Sequence, residues 1–165
     1  MRLLGVHPVQ DTTARTRGTS RLTHVAAYQG RITADNIRGR RRAASYDGIP
    51  RVVFADPEIA AVGLTSKQAR QRGIATAAAE IGLADSIARP WTNEHDPRGA
   101  LGLLADRDRQ VLIGAWAVAP LASEWIHQAD LAIRARIPLD VLLDQVAQFP
   151  TYTEAHLTAV EQLAR

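Results

Sequence analysis

Three neighbouring residues, Glu94, His95 and Asp96, have side chains of the types that bind metal ions. Carboxylate and imidazole groups are common ligands of zinc and related ions. Three consecutive residues cannot easily all face one ion, however, and no second pair of ligands lies near them in the sequence. We therefore interpret the polar, proline- and glycine-containing segment 91–99 as a solvated loop, and we predict no metal site.

Residues required for several other chemistries are missing. The chain has no cysteine, which excludes a disulfide, a thiolate metal site and a redox dithiol within its 165 residues. It has no G-x-G-x-x-G pattern, so no glycine-rich loop is available to hold a pyrophosphate. No apolar run approaches the roughly 18 residues of a membrane helix, and the first residues are too poor in apolar side chains for a signal peptide. We expect a cytoplasmic protein with no membrane partner.

Positive charge is concentrated near the amino terminus. Residues 1–51 contain ten arginines and three acidic residues, whereas the whole chain has a net charge of +3. The run 38–42, RGRRR, could contact phosphates. No aromatic residues lie between these arginines to stack on bases, so we interpret the run as a solvated basic linker and do not expect nucleic acid as a partner.

The most regular pattern of strands and turns lies in segment 51–73. Two apolar runs, 51–55 and 59–64, predict strands separated by a turn at Asp56–Pro57. A short helix follows, and Thr65 and Gln68 have the spacing of a capping box at its start. Gly73 is suited to end that helix, because glycine tolerates the left-handed conformation.

Further strands are predicted in the middle of the chain. Segment 74–81 is a weak strand, and segments 100–105 and 110–117 flank the polar turn 106–109 as a hairpin. Both hairpin strands are apolar along most of their length, which predicts burial on both faces. Gly114 indicates a close approach of another chain segment or a bulge.

Four helices complete the predicted fold. The first runs over 24–38, with Thr23 as its cap and Gly39 as its stop. The others cover 120–136, 139–146 and 152–165. The apolar face of the second contains Leu121, Trp125, Ala129, Ala132 and Ile133, with Ala122 and Ile126 beside them. The pattern predicts an α+β fold, with a mainly antiparallel sheet, helices packed on one face and a preceding amino-terminal helix.

The run 53–65, VFADPEIAAVGLT, closely resembles the opening of the dimerisation domain in FAD-dependent pyridine nucleotide–disulfide oxidoreductases. This family includes dihydrolipoamide dehydrogenase, glutathione reductase and mercuric reductase. The resemblance extends from about residue 22 to the end and omits the two nucleotide-binding domains of the family. It implies that residues 51–165 are a dimerisation domain that forms a homodimer. Residues 1–50 would be an irregular segment, the last helix of an FAD domain and a basic linker.

The run 23–31, THVAAYQGR, resembles the helix that closes the FAD domain. The resemblance implies that the backbone of Thr23, His24, Val25 and Ala26 would face the flavin, provided that the rest of a flavin domain is supplied. The glycine–aspartate pair that precedes this helix in relatives is missing. FAD and NAD(P) are therefore implied as family cofactors, but we expect this chain alone to bind neither. A separate chain could carry the FAD and NAD domains.

Residues 149–154, FPTYTE, correspond to the His-Pro-Thr-x-x-Glu motif of the family. The resemblance implies a catalytic role for Glu154, which orients the histidine in relatives. Phe149 stands at the histidine position and cannot transfer a proton. We expect Phe149 to be a packing residue, either inside the domain or at the dimer contact. We expect Thr151 and Glu154 to form a capping box for the last helix.

Two functions remain open. In the first, the chain is the interface part of a flavoprotein oxidoreductase and lacks activity on its own. In the second, it is a stand-alone self-association module, or a truncated remnant, with no redox role.

Overall fold

A computed structural model of the protein describes residues 22–92, 94–95 and 97–164. Predictions for residues 1–21, Asp96 and the last residue lie outside the described part. The described residues divide into two compact units, with the boundary after Ala44. The first unit contains helix α1, Thr23–Ile37, and the second contains every strand of the described chain.

Helix α1 confirms one predicted boundary and corrects the other. Gly39 has a φ of +82°, so it ends the helix as predicted. The predicted cap, Thr23, is wrong: it is the first helical residue, and Leu22 occupies the N-cap position without a side-chain hydrogen bond. The buried residues of α1 are Val25 and Ile32, two turns apart on one face.

The second unit is built on a five-stranded sheet. Its strands are β1 (Arg51–Val53), β2 (Glu58–Gly63), β3 (Thr76–Gly82), β4 (Ala100–Asp106) and β5 (Val111–Ala119). Their order across the sheet is β1-β2-β5-β4-β3, and every neighbouring pair is antiparallel. The predicted antiparallel sheet is confirmed. Strand β1 ends two residues earlier than predicted, which leaves Phe54 outside the sheet and exposed.

The described residues of this unit form six α-helices and a short 3-10 helix, Arg89–Thr92. The α-helices are α2 (Ser66–Gln71), α3 (Leu83–Ser86), α4 (Ala122–Trp125), α5 (His127–Ala135), α6 (Leu139–Leu143) and α7 (Glu154–Leu163). Both halves of the predicted Thr65–Gln68 capping box are present. The predicted single helix 120–136 is wrong, because the chain divides it into α4 and α5 at Ile126. Leu121, expected on its buried face, adopts a left-handed conformation with φ +55° and is exposed.

Helices α4, α5 and α7 cover one face of the sheet. Alternate strand residues such as Ala60, Val62 and Leu101 point into this layer and are buried. They form one core with the helix residues Trp125, Ile126, Ala129, Ile133, Ala155, Ala159 and Val160. The opposite face, which we call the open face, contains Ile59 and Trp116, both exposed.

The β4–β5 hairpin contains a bulge at Ile113. Leu104 pairs with Gly114 and Ala105 with Leu112, so Ile113 is an extra residue on β5. Its carbonyl accepts the N–H of Leu64 at 2.8 Å. A Cβ on Gly114 would lie 2.0 Å from the Leu64 oxygen, which confirms the predicted close approach. Strand β4 is buried on both faces as predicted, whereas Trp116 of β5 is exposed.

Candidate functional site

The segment 149–154 leads from the short helix α6 into α7. Glu154 is the first residue of α7, and its Oε2 accepts the N–H of Thr151 at 2.8 Å. The Thr151 hydroxyl does not cap the helix; it donates to the carbonyl of Gln148 at 2.7 Å. Thr153 occupies the N-cap position without a side-chain cap bond. The predicted capping box is therefore only half correct, because the threonine hydroxyl is engaged in a local turn.

Phe149 extends away from the domain. Its side chain is 75% exposed, so the expected burial inside the domain is wrong. A place at the contact with a second copy stays a prediction. Among the described residues, the Glu154 carboxylate bonds to the backbone of Thr151 and to no imidazole. Phe149 thus provides an exposed ring, and Glu154 provides a carboxylate that is bonded to the backbone. The two residues do not form an acid–base pair.

The segment is fixed to the core by an aromatic cluster around Trp125. The ring of Tyr152 stacks on that of Trp125, with centroids 6.1 Å apart and an interplanar angle of 9°. The Tyr152 hydroxyl donates to Glu94 Oε1 at 3.2 Å. Burial, and then the neighbouring Glu94 carboxylate, raises the pKa of the Tyr152 hydroxyl. Tyr152 is therefore a neutral anchor that orders the segment.

His156 is part of the same cluster and was not identified from the sequence as a core residue. It is 2% exposed and meets Trp125 edge to face at 5.5 Å. Burial lowers the pKa of its imidazole to about 4. The spacing of Ala155, His156, Ala159 and Val160 on one helix face is the sequence signal that could have revealed this burial.

The residues first considered as metal ligands are not brought together. Glu94 is engaged with Tyr152, His95 is exposed, and Asp96 lies outside the described residues. Within the part of the chain that the structure describes, no group of three or more histidine, aspartate or glutamate side chains could hold a metal ion.

The first turn of α1 contains the four residues implied as flavin contacts. Thr23, His24 and Ala26 are exposed, whereas Val25 is buried. The N–H groups of Val25 and Ala26 both donate to the Leu22 carbonyl, at 3.0 and 3.1 Å. The positive end of the helix dipole suits an electron-rich ring edge. Because these two N–H groups are paired within the helix, the turn offers a flavin only part of its backbone. It supplies no group for the ribityl chain or the phosphates, and no redox step follows from it.

The basic run after α1 partly folds back on that helix. The side chain of Arg42 forms an ion pair with Asp35, and the backbone N–H of Arg42 donates to Asn36 Oδ1 at 2.7 Å. Arg38, Arg40 and Arg41 are exposed. None of the helices in the described residues is long and apolar enough to cross a membrane.

A family model described as "Pyridine nucleotide-disulphide oxidoreductase, dimerisation domain" matches residues 49–160, and the chain belongs to this family. The predicted family resemblance is confirmed.

Curated relatives of the chain include dihydrolipoyl dehydrogenases and mercuric reductases. The chain is 36% identical to a dihydrolipoyl dehydrogenase of Geobacillus stearothermophilus over 140 residues, which are 85% of this chain and 29% of that protein. It is 38% identical to a mercuric reductase of Shigella flexneri over 131 residues, which are 79% of this chain and 23% of that protein. The chain thus spans less than a third of the length of these relatives.

Solved structures give the same result. LpdA from Mycobacterium tuberculosis superposes with a TM-score of 0.81 at 29% identity, over 88% of this chain and 32% of that one. The HOCl-induced flavoprotein disulfide reductase RclA from Escherichia coli superposes with a TM-score of 0.77 at 26% identity, over 87% and 33% of the two chains.

Proposed function

We propose that this chain is the dimerisation part of a flavoprotein disulfide oxidoreductase-like protein and has no redox activity on its own. The observation that carries the proposal is that residues 49–160 match a dimerisation domain, while the chain spans only 29% of a relative that has the whole enzyme's name. The absence of cysteine supports it, because the chain has no dithiol to reduce or oxidise. The proposed location is the cytoplasm.

The surface of the helical side supports self-association. Five large apolar side chains are exposed on α5, α6 and the segments that flank the helices: Leu121, Leu131, Val141, Val146 and Phe149. Val146 and Phe149 are 95% and 75% exposed. A contiguous exposed apolar patch is typical of an interaction site, and we infer that these side chains form one. We infer a two-fold homodimer in which the same patch serves both copies.

Light scattering over a range of concentrations tests this association. The chain has a mass of 18.0 kDa, so a dimer is expected at twice that mass. A clean monomer mass at high micromolar concentration would contradict the proposal.

FAD and NAD(P) would be bound by nucleotide-binding domains outside the matched region, which a separate chain could carry. The first turn of α1 could then contribute the backbone of Thr23 to Ala26 to the flavin site, and Glu154 would face the partner's active site. Alone, the purified chain is expected to be colourless and to lack NAD(P)H-dependent disulfide or mercuric reductase activity. A flavin absorbance spectrum at one flavin per chain would overturn this part of the proposal.

A second candidate is a self-association module with no redox role. Phe149 favours it, because the position of the family's proton carrier holds a residue that cannot carry a proton. The two candidates differ in one measurement. A chain with FAD and NAD domains should bind this chain and gain reductase activity only if the first candidate is correct.

A further inference from the structure

A small cavity lies between β5 and the helices α5, α6 and α7. Its volume is about 10 Å³. Most of its wall is apolar, formed by Leu112, Ala129, Ala132, Leu142 and Val160. Three polar residues also line it: Gln128, Gln145 and His156. A volume of this size is close to the space that a single water molecule needs.

The polar atoms around this cavity are incompletely paired within the protein. Gln145 Oε1 accepts the Nε2–H of Gln128 at 2.6 Å. Gln145 Nε2 and both ring nitrogens of His156 are buried, and none has a hydrogen-bond partner among the described residues. Buried polar groups without partners cost free energy, and proteins commonly satisfy them with an ordered water.

We propose that the cavity is a binding site for one ordered water molecule that bridges Gln145 and His156. The water oxygen accepts the Nε2–H of Gln145, and one water hydrogen is donated to the unprotonated ring nitrogen of His156. A neutral imidazole offers one acceptor and an amide nitrogen offers donors, so a water matches both. Neutral His156 agrees with its complete burial, which lowers the pKa.

The chemistry of the lining excludes other occupants. No carboxylate or thiolate contributes to the wall, and one imidazole beside two amide side chains does not make the donor set of a zinc site. An apolar ligand would leave the amide and imidazole nitrogens unpaired. The bridge would close the loop between Gln145 and His156, which contains Phe149 and Glu154, and would thereby tie the start of that loop to helix α7.

Stability measurements on three variants distinguish a bridged pair from two unpaired groups. His156→Phe keeps an aromatic side chain but has no ring nitrogen. Gln145→Met keeps a side chain of similar length but has no amide. If water bridges the two residues, each single variant lowers the urea midpoint, and the double variant falls less than the sum of the two shifts. If no water is bound, His156→Phe raises the midpoint or leaves it unchanged, and the shifts are additive. Gln162→Met, at an exposed position of α7, is the matched control and should leave the midpoint unchanged.

A direct observation keeps the test decisive if a variant fails to fold. A high-resolution crystal structure of the unmodified chain should show one ordered water within about 2.7–3.2 Å of Gln145 Nε2 and of one His156 ring nitrogen. Long-range ¹H–¹⁵N spectra should show a single neutral tautomer of His156, whose unprotonated nitrogen accepts a hydrogen bond. A direct bond between the two side chains, or a site without solvent density, would overturn the proposal.

Discussion

Glu154 is the acidic residue of the predicted family motif 149–154, and its observed contact is structural. Its Oε2 accepts the Thr151 N–H at 2.8 Å at the start of α7. Glutamine offers the same acceptor, so Glu154→Gln should lower the free energy of unfolding by less than about 1 kcal/mol. Glu154→Ala removes the bond and should cost about 1–2 kcal/mol.

Urea denaturation measures both changes, with Glu161→Gln on the exposed side of the same helix as control. A loss for Glu154→Gln as large as that for the alanine variant would show that the charge itself matters. A role for Glu154 towards a partner's active site would then gain support.

His156 makes the stability of the domain depend on pH. Its folded-state pKa is about 4, below the ordinary value of 6.5, because burial disfavours the charged ring. Between these two values the unfolded chain binds a proton that the folded chain does not. Stability should therefore be unaffected by this group above pH 6.5 and should fall by about 3 kcal/mol as the pH drops towards 4.

Urea midpoints recorded from pH 7.5 to 4 measure this decline. His156→Phe should flatten the curve, whereas His95→Gln, at an exposed position, should retain it. A curve unchanged in the His156 variant would assign the acid sensitivity to other groups.

At the scale of secondary-structure elements, the bulge in β5 requires a glycine at position 114. A Cβ on Gly114 would lie 2.0 Å from the carbonyl oxygen of Leu64, a backbone atom that cannot easily move. Gly114→Ala should therefore reduce the free energy of unfolding by about 2–3 kcal/mol.

Gly30→Ala is the matched substitution at an open position, since no atom lies within 4 Å of its added Cβ. It lies inside α1, where alanine is favoured over glycine by about 1 kcal/mol, so no loss is expected. If Gly114→Ala and Gly30→Ala reduced the free energy of unfolding equally, the close contact of Gly114 with Leu64 would not explain the loss.

The elements that could be predicted from sequence are those set by local interactions. The Thr65–Gln68 box and the Gly73 stop depend on neighbours three to eight residues apart, and both are observed. The division of helix 120–136 was not predictable in this way, because it accompanies the burial of Trp125 and Ile126 in the core and a left-handed conformation at Leu121. Tertiary packing overrides helix periodicity at this point.

Only the local part of the candidate site could be predicted from the sequence. The positions of Phe149 and Glu154 follow from the motif, since motif residues are adjacent in sequence. The contact of Tyr152 with Glu94 joins residues 58 positions apart, and that of His156 with Trp125 crosses from α7 to α4. Such contacts depend on the order of the strands and helices, which a single sequence does not encode locally.

At the scale of the whole dimerisation domain, exposed apolar side chains occur on both sides of the sheet. The open face has the exposed side chains of Val53, Ile59 and Trp116. The Trp116 indole lies so close over Gly102 that a Cβ at position 102 would not fit. The helical side has Val146 and Phe149. Two copies that associate through one side leave the other side available, so the two sets can be tested separately.

Phe149 provides the sharpest test of which side forms the homodimer. If its exposed ring is buried between two copies, Phe149→Asp removes an aromatic contact and places a charge in the interface. A buried aromatic anchor contributes about 2 kcal/mol or more, so the dimer dissociation constant should rise at least about 30-fold. Val146→Asp should act in the same direction. Val53→Asp, an equally drastic change on the open face, should leave the constant unchanged. Sedimentation velocity across a concentration series measures all three. Dissociation by Val53→Asp but not by Phe149→Asp would place the interface on the open face and would contradict the proposed role of the 149–154 segment.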